Sequence, residues 1–319
     1  MPEPRNERSV AILCIMAAMC CYAVIPIFLR HFTKYLDPWT VNGVRYSVSA
    51  LFWLPYVAVY AQRRRRLPAP AKPAGRNIWL DALPPAAVNL VGQVGWGLCP
   101  YYSGNDPATI AFTIRLSFLF TMLFGFALIP AERPLMKRPL FLCGAAVCLA
   151  GLVMMFAQKL AEGGLKSLEG SVILVATTVF WGAYSVSIRR CVSGYPIRAA
   201  FGVVGLYTAV ALVILMLILG NPGRLADLPA GTWGLLILSA FIGIAFGHVL
   251  YYRAIHRLGP IVSSGVLLAA PFLTFLGAWI MLGESERMGD LRLVGGITII
   301  AGGVCLLKAK AQIESGGRK

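Results

Sequence analysis

The sequence predicts an all-α integral membrane protein: ten transmembrane helices, folded as two inverted five-helix repeats, with both termini cytoplasmic. Three observations predict it. First, the composition is not that of a soluble domain. Of 319 residues, 58% are hydrophobic and 13% charged, with a mean hydropathy of +0.73. Ordinary globular chains are about 45–50% apolar and about 25% charged. Second, ten apolar runs follow one another, each close to the roughly 20 residues that a helix needs to cross a bilayer. Third, the second half of the chain echoes the first.

The runs justify themselves in order. Run 10–30 is long enough to span and more of the same follows, so it reads as a retained helix and not as a cleaved signal peptide. Run 40–61 carries Arg45 and ends at four consecutive arginines, 63–66. Run 78–99 holds Asn89, Gln93 and Trp96; run 107–130 holds Arg115. Run 139–157 has Gly144 and Gly151, seven apart and therefore on one helix face over two turns. Run 170–190 opens the second half with Trp181 and Tyr184, and run 198–219 is apolar almost throughout. Run 232–253 brings His248 and Tyr251, run 260–283 brings Pro271, and run 291–308 brings Gly296 and Gly303. Trp39, Trp53, Trp79, Trp233, Tyr35 and Tyr60 fall near run ends, where amphipathic rings favour the membrane interface.

The net charge of +16 would fit nucleic acid if it lay on one surface, but it lies in connectors. With the N-terminus inside, twenty of the 29 lysines and arginines fall on the inner side and seven on the outer, leaving Arg45 and Arg115 within spans. That bias places both ends in the cytoplasm and makes the charge a topology signal, with the arginine run as an anchor that could also hold anionic lipid heads. No nucleic-acid role is expected. The eight cysteines form no C-x-x-C and read as small apolar packers. No metal-ligand cluster or phosphate-binding loop occurs, so no cofactor is expected.

The internal echo has two parts. Residues 126–155 align with 278–307 at an offset of 152, matching Glu132 to Glu284, Gly125 to Gly277, Gly144 to Gly296 and Gly151 to Gly303. Residues 22–30 align with 181–189, matching Arg30 to Arg189 and Tyr22 to Trp181. Five helices per half is an odd number, so the second copy is upside down. The expected organisation is a tail 1–9, a first repeat 10–157, a second repeat 168–308 and a tail 309–319. Inverted repeats point to alternating access around a midplane site.

The stretch LGPIVSSGVLLAAPFLTFLGAWIMLGE, the following GGITIIAGGV, FWGAYSVSI at the start of the second half and RAIHRLG before the ninth run resemble the EamA-type drug/metabolite transporters. The resemblance covers nearly the whole chain and is stronger in the second half, where Pro271 and Glu284 stand in place. The first half departs from it, with Leu119 in the position of Pro271 and Arg115 where the second half has Leu267. The resemblance implies a carrier that moves small metabolites, amino acids or drugs without ATP, with export as the direction.

Arg115 lies about 12 Å along its helix from Pro107, near mid-depth of a hydrocarbon core about 30 Å thick. An arginine there costs roughly 2.5–3.5 kcal/mol on insertion scales and faces a partner or a wet cavity. No carboxylate lies mid-span, so two readings stand. It grips an anionic or zwitterionic substrate bidentately, or it pairs structurally, for instance with Asp106. Asn89 and Gln93 share a face with Trp96 nearby, and Tyr22, Trp181, Tyr184, His248 and Tyr251 supply an aromatic, hydrogen-bonding wall. For each residue alone, interhelical packing is the competing reading. Arg45 is expected to reach the outer interface as a structural or gating residue. Glu132, Glu284 and Pro271 join it as gating or structural positions. The expected partners are the bilayer and a small-molecule substrate, the expected location a bacterial inner membrane. A translocator of a lipid or lipid-linked sugar is the alternative. A membrane-embedded enzyme ranks lower, because no Ser/His/Asp set or H-E-x-x-H motif occurs and the histidines are His31, His248 and His256.

Overall fold

The computed structural model describes residues 4–66, 77–102, 107–161, 168–274, 276 and 290–316, and among them every regular element is a helix. Helices α1 (Pro4–Phe32) and α2 (Pro38–Arg66) are the first two runs. The third is split at Pro84 and Pro85 into a single turn, α3 (Ile78–Asp81), and α4 (Leu83–Leu98). Proline lacks the donor that would continue the ladder, so the helix restarts with the pair in its first turn. The fourth run is α5 (Pro107–Thr113), a 3-10 turn at Ile114–Leu116, and α6 (Ser117–Leu128). Next come α7 (Pro139–Ala161), α8 (Leu168–Ser187) with a π turn at Ile188–Val192, and α9 (Ile197–Leu219). The eighth run is α10 (Ala230–Ser239), a π segment at Ala240–Phe246, and α11 (Gly247–Leu258). The ninth opens as α12 (Pro260–Val266) and passes into a 3-10 turn at Leu267–Ala269, and α13 (Asp290–Gly316) is the tenth.

Among the described residues, six helices are long and apolar enough to cross a membrane. They become seven if Pro130–Lys137 and Pro139–Met155, which meet at 87°, form one broken span. The sequence predicts ten. The second run is diluted by Tyr46, Trp53, Tyr56 and Tyr60, the third is cut at its proline pair, and the ninth continues into residues outside the description. Glu284, Gly277 and Asp106 also lie outside the described residues.

The most extensive helix pairs are α7 with α13, α2 with α9, α4 with α8 and α1 with α11. Missing side chains create the first of these. A Cβ on Gly151 would stand 2.6 Å from the Gly295 carbonyl oxygen, and one on Gly302 would stand 2.7 Å from that of Gly144. In the repeat alignment the counterparts of Gly144 and Gly151 are Gly296 and Gly303, but neither lies in this seam. Gly296 faces the Phe272 ring and Gly303 faces open space. The contacting glycines, Gly295 and Gly302, come one residue earlier. The fusion is antiparallel, since Gly144 meets Gly302 while Gly151, further along α7, meets Gly295.

Connectors are tied by side chains. Asp37 caps α2, accepting hydrogen bonds from the Thr40 amide at 2.9 Å and the Thr40 hydroxyl at 2.6 Å, and it also accepts from the Asn221 amide at 2.9 Å beyond α9. Burial pushes its carboxyl up, but these donors outweigh burial and hold it below its ordinary value. Gly259, at φ 87°, makes the turn into α12 against the Glu132 carboxylate, which is 1% exposed and 3.5 Å from Lys310 Nζ. Trp53 is not an interface anchor. It is buried, and its indole N–H donates to the Ala245 carbonyl at 3.0 Å, taking up an oxygen in the π segment.

Two outcomes follow from these contacts. Gly151→Val destabilises the detergent-solubilised protein by about 1–3 kcal/mol through overpacking, whereas Gly303→Ala is neutral or slightly stabilising; thermal melts of the two variants check this. Asp37→Asn costs about 1 kcal/mol at neutral pH, because it replaces a charged acceptor by a neutral one and turns one of the two accepting oxygens into a donor. Because the folded carboxyl titrates below its unfolded value, that stabilisation is present above about pH 4. It disappears as pH falls through the folded value, so wild type and variant converge in acid melts.

Candidate substrate site

Three departures from regular helix meet at one cavity. The 3-10 turn at 114–116 supplies Ile114 and Arg115, the π segment supplies Gly243 and Ile244, and the second 3-10 turn supplies Leu267. The cavity encloses about 660 Å³, its open mouth included. Mid-helix 3-10 and π turns recur at functional sites.

Glycines let these parts approach. A Cβ on Gly182 would stand 2.9 Å from both the Ser117 oxygen and the Thr121 nitrogen, so α8 presses directly on the start of α6 and fixes the turn that carries Arg115. A Cβ on Gly243 would stand 2.5 Å from Ile25 Cδ1 and 3.3 Å from Arg45 Nη2, so a side chain here would collide with Ile25 and crowd that guanidinium. Trp181 lays its indole over Gly92 of α4.

Two guanidiniums line the cavity, Arg45 and Arg115, and among the described residues no aspartate or glutamate does. Arg45 is 2% exposed and does not run out to the interface. Its Nε donates to Ser239 Oγ at 3.0 Å, while its Nη1 is buried without a partner. The Nε of Arg115 is likewise buried and unpartnered. The ion pairs formed among the described residues lie elsewhere, at Arg257–Glu314 and Lys310–Glu132. Depth explains why Arg45 stays inside. The helix begins at Pro38, so Arg45 sits about 10 Å along it, almost as deep as Arg115.

Around the arginines stands the expected aromatic wall. Tyr22 meets His248 edge-on at 5.7 Å and Tyr251 at 6.0 Å, and Trp181 lies 6.0 Å from His248. Tyr251 is held by a chain of hydroxyls across four helices: Ser185 at 2.7 Å, Ser264 at 3.0 Å, and Thr121 beyond Ser264 at 3.4 Å. The Tyr22 hydroxyl, the Trp181 N–H and His248 Nε2 are buried without partners. Gln93 and Trp96 also line the cavity.

Other expected site residues fall outside the lining. Asn89 lies one turn along α4 and donates to the hydroxyls of Tyr46 and Thr208, both at 3.1 Å, as an interhelical clamp. Tyr184 sits behind Trp181, its hydroxyl 3.0 Å from that of Tyr252. Pro271 is buried past the 3-10 turn, and Glu132 belongs to the α12 turn. Conversely, Ser117, Ser185 and Ser264 line the cavity without having stood out in the sequence, and Ser239 went unnoticed as the support of Arg45. Small hydroxyls within apolar runs give no periodic signal.

Similar proteins agree with this architecture. A transporter of Clostridium kluyveri described as uncharacterized is 24% identical over 272 residues, 84% of this chain and 83% of that protein. An uncharacterized transporter of Bacillus subtilis, YyaM, is 25% identical over 48% of this chain and 50% of its own. A WAT1-related protein of Arabidopsis thaliana is 22% identical over 65% and 64% respectively. One crystal structure superposes with a TM-score of 0.68 at 19% identity, covering 96% of this chain and 99% of that one, which speaks to the fold alone. The model of the EamA-like transporter family matches residues 9–157 and again 168–308. With apolar helices long enough to span a bilayer and both halves matched by one transporter model, the chain is an integral membrane protein that belongs to the EamA-like transporter family.

Proposed function

We propose that this transporter carries small organic anions through alternating access, with the cavity between Arg45 and Arg115 as the binding site. One observation carries the reading. Two guanidiniums share the cavity, and among the described residues no carboxylate answers either. A buried charge without a partner is costly, and an anion that accepts hydrogen bonds from both guanidiniums removes that cost. An organic cation would face repulsion from both. The aromatic wall and Leu267 would take the apolar part of the solute.

The proposed organisation is two inverted five-helix repeats, 10–157 and 168–308, with cytoplasmic ends. Exchanging the halves maps the α4–α8 contact onto α11–α1 and leaves α2–α9 and α7–α13 in place, which is the contact pattern of a two-fold arrangement. The 3-10 turns at 114–116 and 267–269 fall in corresponding places, and paired discontinuous helices are where inverted-repeat carriers bind. A bacterial inner membrane is the proposed location, in line with the bacterial relatives. Outward transport rests on the family resemblance.

A thermal-shift screen of purified protein against monocarboxylates, dicarboxylates, phosphate monoesters, α-amino acids and organic cations tests the reading. Anions stabilise wild type, and Arg45→Gln and Arg115→Gln each weaken the response about 10–100-fold, as expected for a lost hydrogen bond to a charged group. Stabilisation by cations or neutral solutes, equal in all three proteins, overturns the anion assignment while leaving the carrier.

A further inference from the structure

The unpartnered atoms of the cavity are not all alike, and the odd one is His248. Its Nδ1 lies 2.9 Å from the Gly243 carbonyl oxygen. A carbonyl oxygen only accepts, so Nδ1 carries the proton and Nε2 of the neutral ring presents a bare lone pair. That Nε2 is buried and has no partner, on a side chain 2% exposed that lines the cavity. A second proton on the ring would add a third cation beside two guanidiniums, with no carboxylate among the described residues of the lining. The ring is also fixed in orientation. Phe201 stacks on it at 5.5 Å and 29°, while Tyr22 stands edge-on and Trp181 and Tyr184 are tilted against it.

The other orphans donate: Arg45 Nη1, Arg115 Nε and Trp181 Nε1, with the Tyr22 hydroxyl able to do either. Among these orphans the cavity therefore sets several donors, two of them charged, around one group that only accepts, while the Gln93 amide and the lining serines can do either. We infer that the solute is an organic anion bearing a neutral hydrogen-bond donor, a hydroxyl or N–H, that donates to His248 Nε2. His248 is thus a specificity residue. Amino acids fit poorly, because their ammonium would be the third positive group in the cavity and would find no carboxylate among the described lining residues. This inference rests on the anion reading and narrows it.

Binding of matched acids by purified protein tests it. The probes are 3-phenyllactate, 3-phenylpropionate and phenylpyruvate, which differ only at the carbon beside the carboxylate, together with malate against succinate, and phenylalanine. Wild type binds the hydroxy acid of at least one series about tenfold or more tighter than its hydrogen or keto analogue, and phenylalanine more weakly still. A site built around a substrate hydroxyl discriminates because its own buried group is otherwise left unpaired. His248→Phe brings the ratio to about one, whereas His248→Gln, whose amide oxygen can accept, keeps most of it. Equal binding of hydroxy and hydrogen analogues by wild type overturns the inference and leaves the anion reading intact, and it needs no variant to fold. A ratio unchanged in His248→Phe also overturns it. If none of these acids binds while other anions of the wider panel do, the inference falls and the anion reading stands; if no anion of either panel binds, the anion reading itself falls.

Discussion

Hydrocarbon offers a peptide group no hydrogen bonds, and this constraint organises the molecule. A chain inside a bilayer satisfies its amides and carbonyls internally, and irregular backbone survives only where protein or a wet cavity covers it. The breaks described here obey that rule. The 3-10 turns at Ile114–Leu116 and Leu267–Ala269 and the π segment at Ala240–Phe246 all contribute to one cavity. Two carbonyls in the π segment are taken up by side chains, Ala245 by Trp53 and Gly243 by His248. Backbone irregularity and the polar groups of the cavity therefore occupy the same place for the same physical reason.

The arginines extend the logic to charge. Neither guanidinium meets a carboxylate among the described residues, and each leaves a nitrogen without a partner. A structural arginine at this depth would be expected to close its fork on an acid or on carbonyls. Arg45 closes only one arm, on Ser239, and this steers the remaining arm beside Gly243. Such half-satisfied groups are costly in a finished core, but they suit a site that a solute completes.

The apolar runs, the close-approach glycine face of α7 and most of the residues that line the cavity were legible in the sequence. Apolar periodicity reports which face is buried, and a charge at mid-depth has few reasons to exist. Tyr22, Gln93, Trp96, Arg115, Trp181, His248 and Tyr251 line the cavity. Asn89 and Tyr184 were indistinguishable from them, because a clamp between helices and a cavity group have the same one-dimensional signature. Arg45 was misjudged because its depth was counted from residue 40, whereas Pro38 starts the helix two residues earlier. Which glycines of α13 meet that face of α7 was not legible, because Gly295–Gly296 and Gly302–Gly303 are doublets, and only the crossing of two helices decides which member faces inward.

Rigidity and give are divided between periphery and centre. Along α7 and α13 glycine backbones touch carbonyls directly, so sliding one helix past the other meets backbone and not flexible side chains. At the cavity the helices are short and interrupted, and rearranging a few turn hydrogen bonds changes their direction. A link between the halves lies at the end of the bundle proposed to be cytoplasmic. There Glu132, which follows α6, meets Lys310 of α13 and lies against Gly259, the left-handed residue that starts α12. Arg257 of α11 meets Glu314 one turn further along α13. Glu132 is almost fully inaccessible, so its carboxylate has given up water for the Lys310 ammonium. That desolvation opposes the attraction of the partner, so the pair has opposing terms and a modest net strength. The close fit of the two halves therefore rests more on the glycine contacts of α7 and α13 than on charge.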